Sequence, residues 1–198
     1  MNVHQQKFED DLLKDEQVLW AGQPDPKVIF TGADIFLVPF SLLWGGFAIF
    51  WEFMASTGVA NAQIKQHQGP IWFFPLFGIP FVLMGLYFIF GRFIYKAWRK
   101  RNTYYAVTNK RVIVLTKGMG RDIQAAFINT LPSVNKSIRS NGNGTIRFGN
   151  SSPMVSMYGN SGMDFFGSFY GKDILTFYDL SEANKVYDLV TRLRQQVS

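Results

Sequence analysis

The sequence predicts an α+β membrane protein: a two-helix transmembrane hairpin followed by an antiparallel β-barrel or sandwich capped by a C-terminal amphipathic helix. Three observations predict it. Two apolar blocks, 35–54 and 71–95, each supply about the 20 residues that cross ~30 Å of hydrocarbon. Beyond Asn102 the pattern changes to short β-branched runs separated by Gly/Asn turns. After Ser181, apolar residues recur at three- and four-residue steps.

The first block reads IFLVPFSLLWGGFAIFWEFM and the second IWFFPLFGIPFVLMGLYFIFGRFIY. Between Ile35 and Tyr95 the only ionisable side chains are Glu52, Lys65, His67, Arg92 and two tyrosines, which a mean hydropathy of +0.02 for the whole chain conceals. A chain of 198 residues has no interior large enough to hide two such helices, which argues against a soluble core pair. Pro39 and Pro75 fall near the starts of their helices, where few N–H bonds are lost; Pro80 is expected to kink the second. The polar, acidic N-terminus lacks the basic and apolar regions of a signal peptide, so the first block is expected to stay in the membrane.

Charge sets the orientation. Residues 1–34 carry net −4, residues 35–95 net +1 and residues 96–198 net +9. Lys96, Arg99, Lys100 and Arg101 follow the second block, and Lys110 and Arg111 lie close behind, whereas the connecting loop 55–70 offers only Lys65. The positive-inside rule places both termini in the cytoplasm and the loop outside. The chain then divides into an acidic cytoplasmic segment (1–34), a first membrane helix (35–54), an extracytoplasmic loop (55–70), a second membrane helix (71–95) and a cytoplasmic domain (96–198). Tyr95 and Trp98 suit the interfacial aromatic belt.

Small and polar residues predict how the helices meet. Ser41, Gly45, Ala48 and Glu52 fall on one stripe of the first helix, and Gly78, Gly85 and Arg92 recur every seven residues on the second. Small residues let helix backbones approach closely, so these stripes are expected to face each other, Ser41 near Arg92 and Glu52 near Gly78. Arg92 is also placed to pair with Asp34. Glu52 and Arg92 have two readings: anchors near the membrane boundaries, or parts of a proton or ion path in an oligomer.

In the cytoplasmic domain, strands are expected over 103–108, 111–117, 122–128, 133–139, 145–148 and 174–179. Asn141-Gly142-Asn143-Gly144 supplies a hairpin turn, because Asn and Gly accept positive φ. A phosphate cradle needs a helix just after the loop, and the strand expected there argues against it. Ser181 is an N-cap for a helix whose apolar face carries Ala183, Val186, Leu189, Val190, Leu193 and Val197. In the acidic head, Phe8, Leu12 and Leu19 follow a helix-like spacing, and its charge suits packing on the basic domain.

The stretches YYAVTNKRVIV, NGNGTIRFG and FYDLSEANKVYDLV, with the upstream EQVLWAGQP and DIFLVPFSLLWGGFAIFWE, resemble the membrane-anchored bacterial pleckstrin-homology (PH) domain proteins. The resemblance covers nearly the whole chain and departs in Asn150–Lys172, a longer connection. It implies two transmembrane helices followed by a PH-like barrel at the bacterial inner membrane. No settled activity comes with it.

No catalytic constellation is legible. The two histidines, His4 and His67, have no spaced partners for a metal. No nucleophile elbow or P-loop is present, and cysteine is absent. The expectation is a non-enzymatic module without cofactor that binds proteins, including itself, or a partner membrane protein; nucleic acid is not expected. Alternatives are anionic-lipid sensing or handling and an oligomeric transport subunit. Headgroup contacts are assigned to Lys96, Arg99, Lys100, Arg101, Lys110 and Arg111, each juxtamembrane cation contributing about 1 kcal/mol. Met154, Met157, Met163, Phe165, Phe166 and Phe169, set among Gly and Ser, are assigned to a contact loop that meets the bilayer or a neighbouring subunit, or else complete the barrel.

Overall fold

A computed structural model describes residues 3–64, 73–118, 120–140, 142–150, 159–163 and 174–197. Phe30–Tyr95 form one unit; Met1–Ile29 and Lys96–Ser198 together form the other. The chain is mixed α+β, and its described residues hold two helical runs long and apolar enough to cross a membrane and two antiparallel sheets.

In the helical unit, α1 spans Asp34–Ile64 and α2 spans Phe73–Leu86. A π-helical turn, Tyr87–Gly91, leads into α3, Arg92–Arg101, which passes into the other unit at Lys96. The Asp34 carboxylate accepts the Thr31 N–H (2.6 Å) and hydroxyl (2.8 Å), satisfying donors at the start of α1. α1 runs on beyond Met54, so the segment expected to be loop from Ala55 is helical as far as Ile64. Polarity changes at Met54, but no proline lies between Met54 and Ile64 to stop the helix. The helix also continues through Pro80, and the irregular turn comes later, at Tyr87.

Burial in this unit is inverted relative to a water-soluble helix pair. Asp34, Ser41, Gly45 and Ala48 on α1, and Gly78, Gly85 and Arg92 on the opposing run, are buried. Large apolar side chains face outward, among them Ile35 at 73% exposure and Leu43 at 74%.

The other unit holds the sheets. The first has strand order β1 (Val18–Gly22), β2 (Thr103–Thr108), β3 (Arg111–Lys117) and β4 (Arg121–Phe127). The second orders β5 (Asn135–Ile138), β6 (Gly144–Arg147) and β7 (Thr176–Leu180), followed by α4, Ala183–Val197. β1 was not expected. It lies upstream of both long helices yet pairs antiparallel with β2 downstream of them, Gly22 opposite Tyr105 and Val18 opposite Thr108. Among the described residues the sheets do not join into a closed barrel. After Phe127 the chain enters a 3-10 turn, Ile128–Thr130, and Pro132, with no N–H to donate, follows before β5.

The sheets share one core. Tyr105, Val107 and Val112 of the first meet Ile146 and Phe177 of the second, with Val186 and Val190 of α4. The Phe177 ring stacks on Tyr105 with centroids 4.5 Å apart and meets the edge of Phe148 at 4.9 Å. Each fully buried side chain of this kind contributes about 1.5–3 kcal/mol.

The opposite face of the first sheet is covered by the N-terminal segment. Phe8, in a 3-10 helix Gln5–Asp11, packs on Ala106, Ile113 and Leu115. β3 is thus buried on both faces, which accounts for its nearly unbroken apolar run. Leu19, grouped by spacing with Phe8 and Leu12, lies instead on β1 with its side chain exposed.

Candidate functional site

On the helical unit the two stripes are in contact. A Cβ added at Gly85 would lie 2.9 Å from the Gly45 Cα, so the backbones pass with no room for a side chain there. The Glu52 carboxylate lies against Gly78, and its Oε2 is buried without a hydrogen-bond partner among the described residues. The Ser41 hydroxyl donates to its own helix, to Leu37 O at 2.5 Å. Arg92 is 0% exposed, and its Nη1 donates to Asp34 Oδ1 at 2.5 Å. The π turn helps to hold it: the Arg92 N–H bonds back to Tyr87 O, leaving the Phe88 carbonyl to accept Arg92 Nε at 2.8 Å.

Of the cations expected to face lipid, Lys96, Lys100, Lys110 and Arg111 are engaged within the protein, and Arg99 is not without a partner. Lys96 is 3% exposed and donates to Ile29 O (2.6 Å); Lys100 is 4% exposed and donates to Val28 O (2.6 Å) and to Asp179 Oδ2 (2.5 Å). Lys110 donates to Lys14 O (2.6 Å), and Arg111 pairs with Glu16 at 2.9 Å. Arg101 is exposed and Arg99 half-buried. The basic run after the second helix thus splits by face: Lys96 and Lys100, four residues apart, turn inward together.

Asp179, which sequence reasoning placed only at a strand end, is the hub of the β unit. It is 1% exposed, and it accepts Lys100 and Asn160 Nδ2 (2.5 Å) on Oδ2 and Arg139 Nη1 (2.8 Å) on Oδ1. Its φ of 51° lies in the left-handed region, and its carbonyl accepts the Asp25 N–H at 2.9 Å. This cluster joins residues 25–28, the end of α3, the β5–β6 turn and β7. Its partners are far apart in sequence, so no local spacing announces it.

Beside the cluster lies a cavity of about 130 Å³ between the two sheets and the end of α3. Lys96, Arg99 and Lys100 line it, with Tyr105, Thr116 and Gln124 from the first sheet and Thr176 from the second. Asp122 is the carboxylate among its described lining residues. Burial raises the Tyr105 pKa above the ordinary phenol value, so the hydroxyl stays protonated; it accepts the Tyr178 N–H at 3.1 Å.

At the other side of the first sheet, Glu16 accepts hydrogen bonds from Thr108 Oγ1 (2.7 Å), Arg111 and the Leu13 N–H (2.7 Å). Burial acts to raise its pKa, but the Arg111 and Leu13 hydrogen bonds, with Thr108 and the Arg111 charge, outweigh it and hold the carboxyl below its ordinary value. A depressed folded-state pKa contributes stability that is present above the ordinary carboxylate value and is lost as pH falls through the folded one. Glu16→Gln is therefore expected to lower the melting temperature at pH 7 and to flatten its fall between neutral and acid pH. Melting curves across that range check it, and parallel wild-type and variant profiles would contradict it.

Of the expected contact loop, Met163 is buried; Met154, Met157, Phe165, Phe166 and Phe169 lie outside the described residues. Among the described residues no group of three or more His, Asp or Glu side chains is arranged to hold a metal ion. No family model, curated protein or solved structure matches this chain. Its functional reading rests on its own residues.

Proposed function

We propose that this protein is a membrane-anchored, PH-like binding module. It uses a two-helix hairpin to hold a basic β unit at the cytoplasmic face of a bacterial inner membrane, where it binds proteins, itself included, without catalysis. One observation carries the membrane reading: α1 and the α2–α3 run turn Asp34, Ser41 and Arg92 inward and Ile35, Leu43 and many phenylalanines outward. In water that exposure opposes folding; in hydrocarbon it costs nothing, and the buried ion pair is shielded from lipid. The PH-like reading is supported by four- and three-stranded antiparallel sheets on one core with a closing C-terminal helix. The orientation is supported by the net +9 of residues 96–198.

A lipid-headgroup role for the juxtamembrane run draws on Arg101, since Lys96 and Lys100 are turned inward and Arg99 is not without a partner. The adaptor reading is therefore preferred to lipid sensing across a flat basic face.

The absence of cysteine makes a direct test available. His67→Cys is expected to react with a membrane-impermeant maleimide in intact cells, and Ser140→Cys only after permeabilisation. The same membranes, extracted in mild detergent, are expected to yield an assembly larger than one chain. Equal labelling of both sites would overturn the topology, and a monodisperse monomer without partner would overturn the adaptor.

A further inference from the structure

The terminal strands of the two sheets are β1, β4, β5 and β7. The outer backbone groups of such strands invite pairing with another chain unless a bulge, a charge or a capping group blocks them. β1 breaks register between Val18 and Trp20, and its Val18 carbonyl accepts Gln5 Nε2 at 3.4 Å. β5 is four residues long and carries Lys136. β7 gives the Tyr178 N–H to the Tyr105 hydroxyl and the Asp179 carbonyl to the Asp25 N–H. β4 has no such guard. Among the described residues its backbone from Asp122 to Ala126 bonds only to β3, in unbroken register from Arg121 opposite Lys117 to Phe127 opposite Arg111. All of β4 is exposed except half-buried Ala126. Its charges, Arg121 and Asp122, lie at one end, and Ile123-Gln124-Ala125-Ala126-Phe127 has neither charge nor proline.

We propose that β4 is the edge through which two copies of this chain pair, antiparallel, about a two-fold axis at Ala125. The block 123–127 is complementary to itself when reversed. Ile123, Ala125 and Phe127 share one face, so each Ile123 meets the second copy's Phe127, and the two Ala125 side chains meet between those pairs. On the other face Gln124 meets Ala126. Aromatic and β-branched side chains set directly opposite are favourable cross-strand pairs. Ile123 is 38% and Phe127 48% exposed in the single chain, and the pairing covers both. An axis at Gln124 would set Asp122 against Ala126 and Arg121 against Phe127. An axis at Ile123 would set Arg121 against Ala125 and leave Phe127 unpaired. Only the axis at Ala125 keeps both charges outside the paired block, where Arg121 is already held by Asp11. A two-fold pairing uses the same edge on both copies, so the assembly closes as a dimer and does not extend into a fibre. The pairing rests on the adaptor reading and supplies its surface. It is short, and anchoring both copies in one membrane raises the effective concentration at which it forms.

Because the chain has no cysteine, single substitutions report the pairing directly. Opposite Cα atoms in an antiparallel pair lie about 4.5–5.5 Å apart, within the span of a disulfide. Full-length Ala125→Cys, mildly oxidised in isolated membranes, is expected to give a disulfide-linked dimer. Ile123→Cys and Phe127→Cys should each stay largely single when expressed alone and cross-link when expressed together. Ile138→Cys, exposed on β5, should not cross-link. Adding Ile123→Lys to Ala125→Cys should cut the dimer yield about tenfold, since a lysine guards an edge, with the melting temperature unchanged. Should that variant fail to fold, Phe127→Lys carries the comparison. A dimer yield that neither lysine lowers, or an Ala125→Cys product containing another protein in place of a second copy, overturns the proposal. An assembly larger than one chain in detergent without the Ala125→Cys cross-link overturns the β4 edge and leaves the adaptor reading standing. A monodisperse single chain without cross-link or partner overturns both.

Discussion

Asp179→Asn is expected to cost about 3–5 kcal/mol of stability, the range for breaking a buried ion pair by removing one partner. Asn keeps the shape of the side chain and tolerates the positive φ of 51°, so the loss is assigned to charge and not to backbone strain. The two cations respond differently. Arg139 is about one-third exposed and can turn to water, whereas Lys100 cannot. It would keep the Val28 carbonyl but lose its counter-charge. Adding Lys100→Met to Asp179→Asn should therefore recover much of the loss, so that the double variant is more stable than the sum of the singles. Asp179→Ala should cost about 1 kcal/mol more than Asp179→Asn, because alanine disfavours the left-handed conformation. Chemical unfolding of the full chain in detergent measures all of these, and additive single and double variants would remove Asp179 from the role of hub.

The second large effect is expected at Gly85. Its missing side chain is what lets α2 reach the Gly45 backbone, and a backbone atom cannot swing away as a side chain can. Gly85→Leu should cost about 3 kcal/mol or more, at or above the upper end for overpacked sites, by forcing the helices apart. Gly46 is the internal control: adjacent to Gly45 in sequence, it has nothing within 4 Å of an added Cβ. Gly46→Leu should leave the unfolding midpoint in detergent nearly unchanged. Equal effects of the two leucines would argue against the close approach.

What could be read in advance depended on how local each signal was. The long helices announce themselves through blocks of about 20 apolar residues, and their mutual faces through small residues at helical spacing. β2 and β3 are legible because YYAVT and RVIVLT are rich in β-branched and aromatic residues. β1 is not: Val18–Gly22 is a five-residue run, and its partner strand lies on the far side of both long helices. The cations at the end of the second helix were read by number, but direction decides their role. Arg92, Lys96 and Lys100 recur every fourth residue, and that shared face was the available clue to their burial. The Asp179 cluster had no comparable clue, since Lys100, Arg139 and Asn160 converge only through the fold.

The position of β1 has a consequence for how the chain is made. Residues 23–102, including both apolar helices, emerge from the ribosome between the two strands that must pair. At about 5–20 residues per second, β1 waits several seconds for β2. Through that interval the helices are already available to the insertion machinery. Membrane integration can thus run to completion while the first sheet still lacks its partner strand, and completion of the sheet marks a hairpin that has already been delivered. A fragment beginning at residue 102 skips this order and leaves the β2 edge open, with Ala106 and Val107 bared to any neighbouring strand.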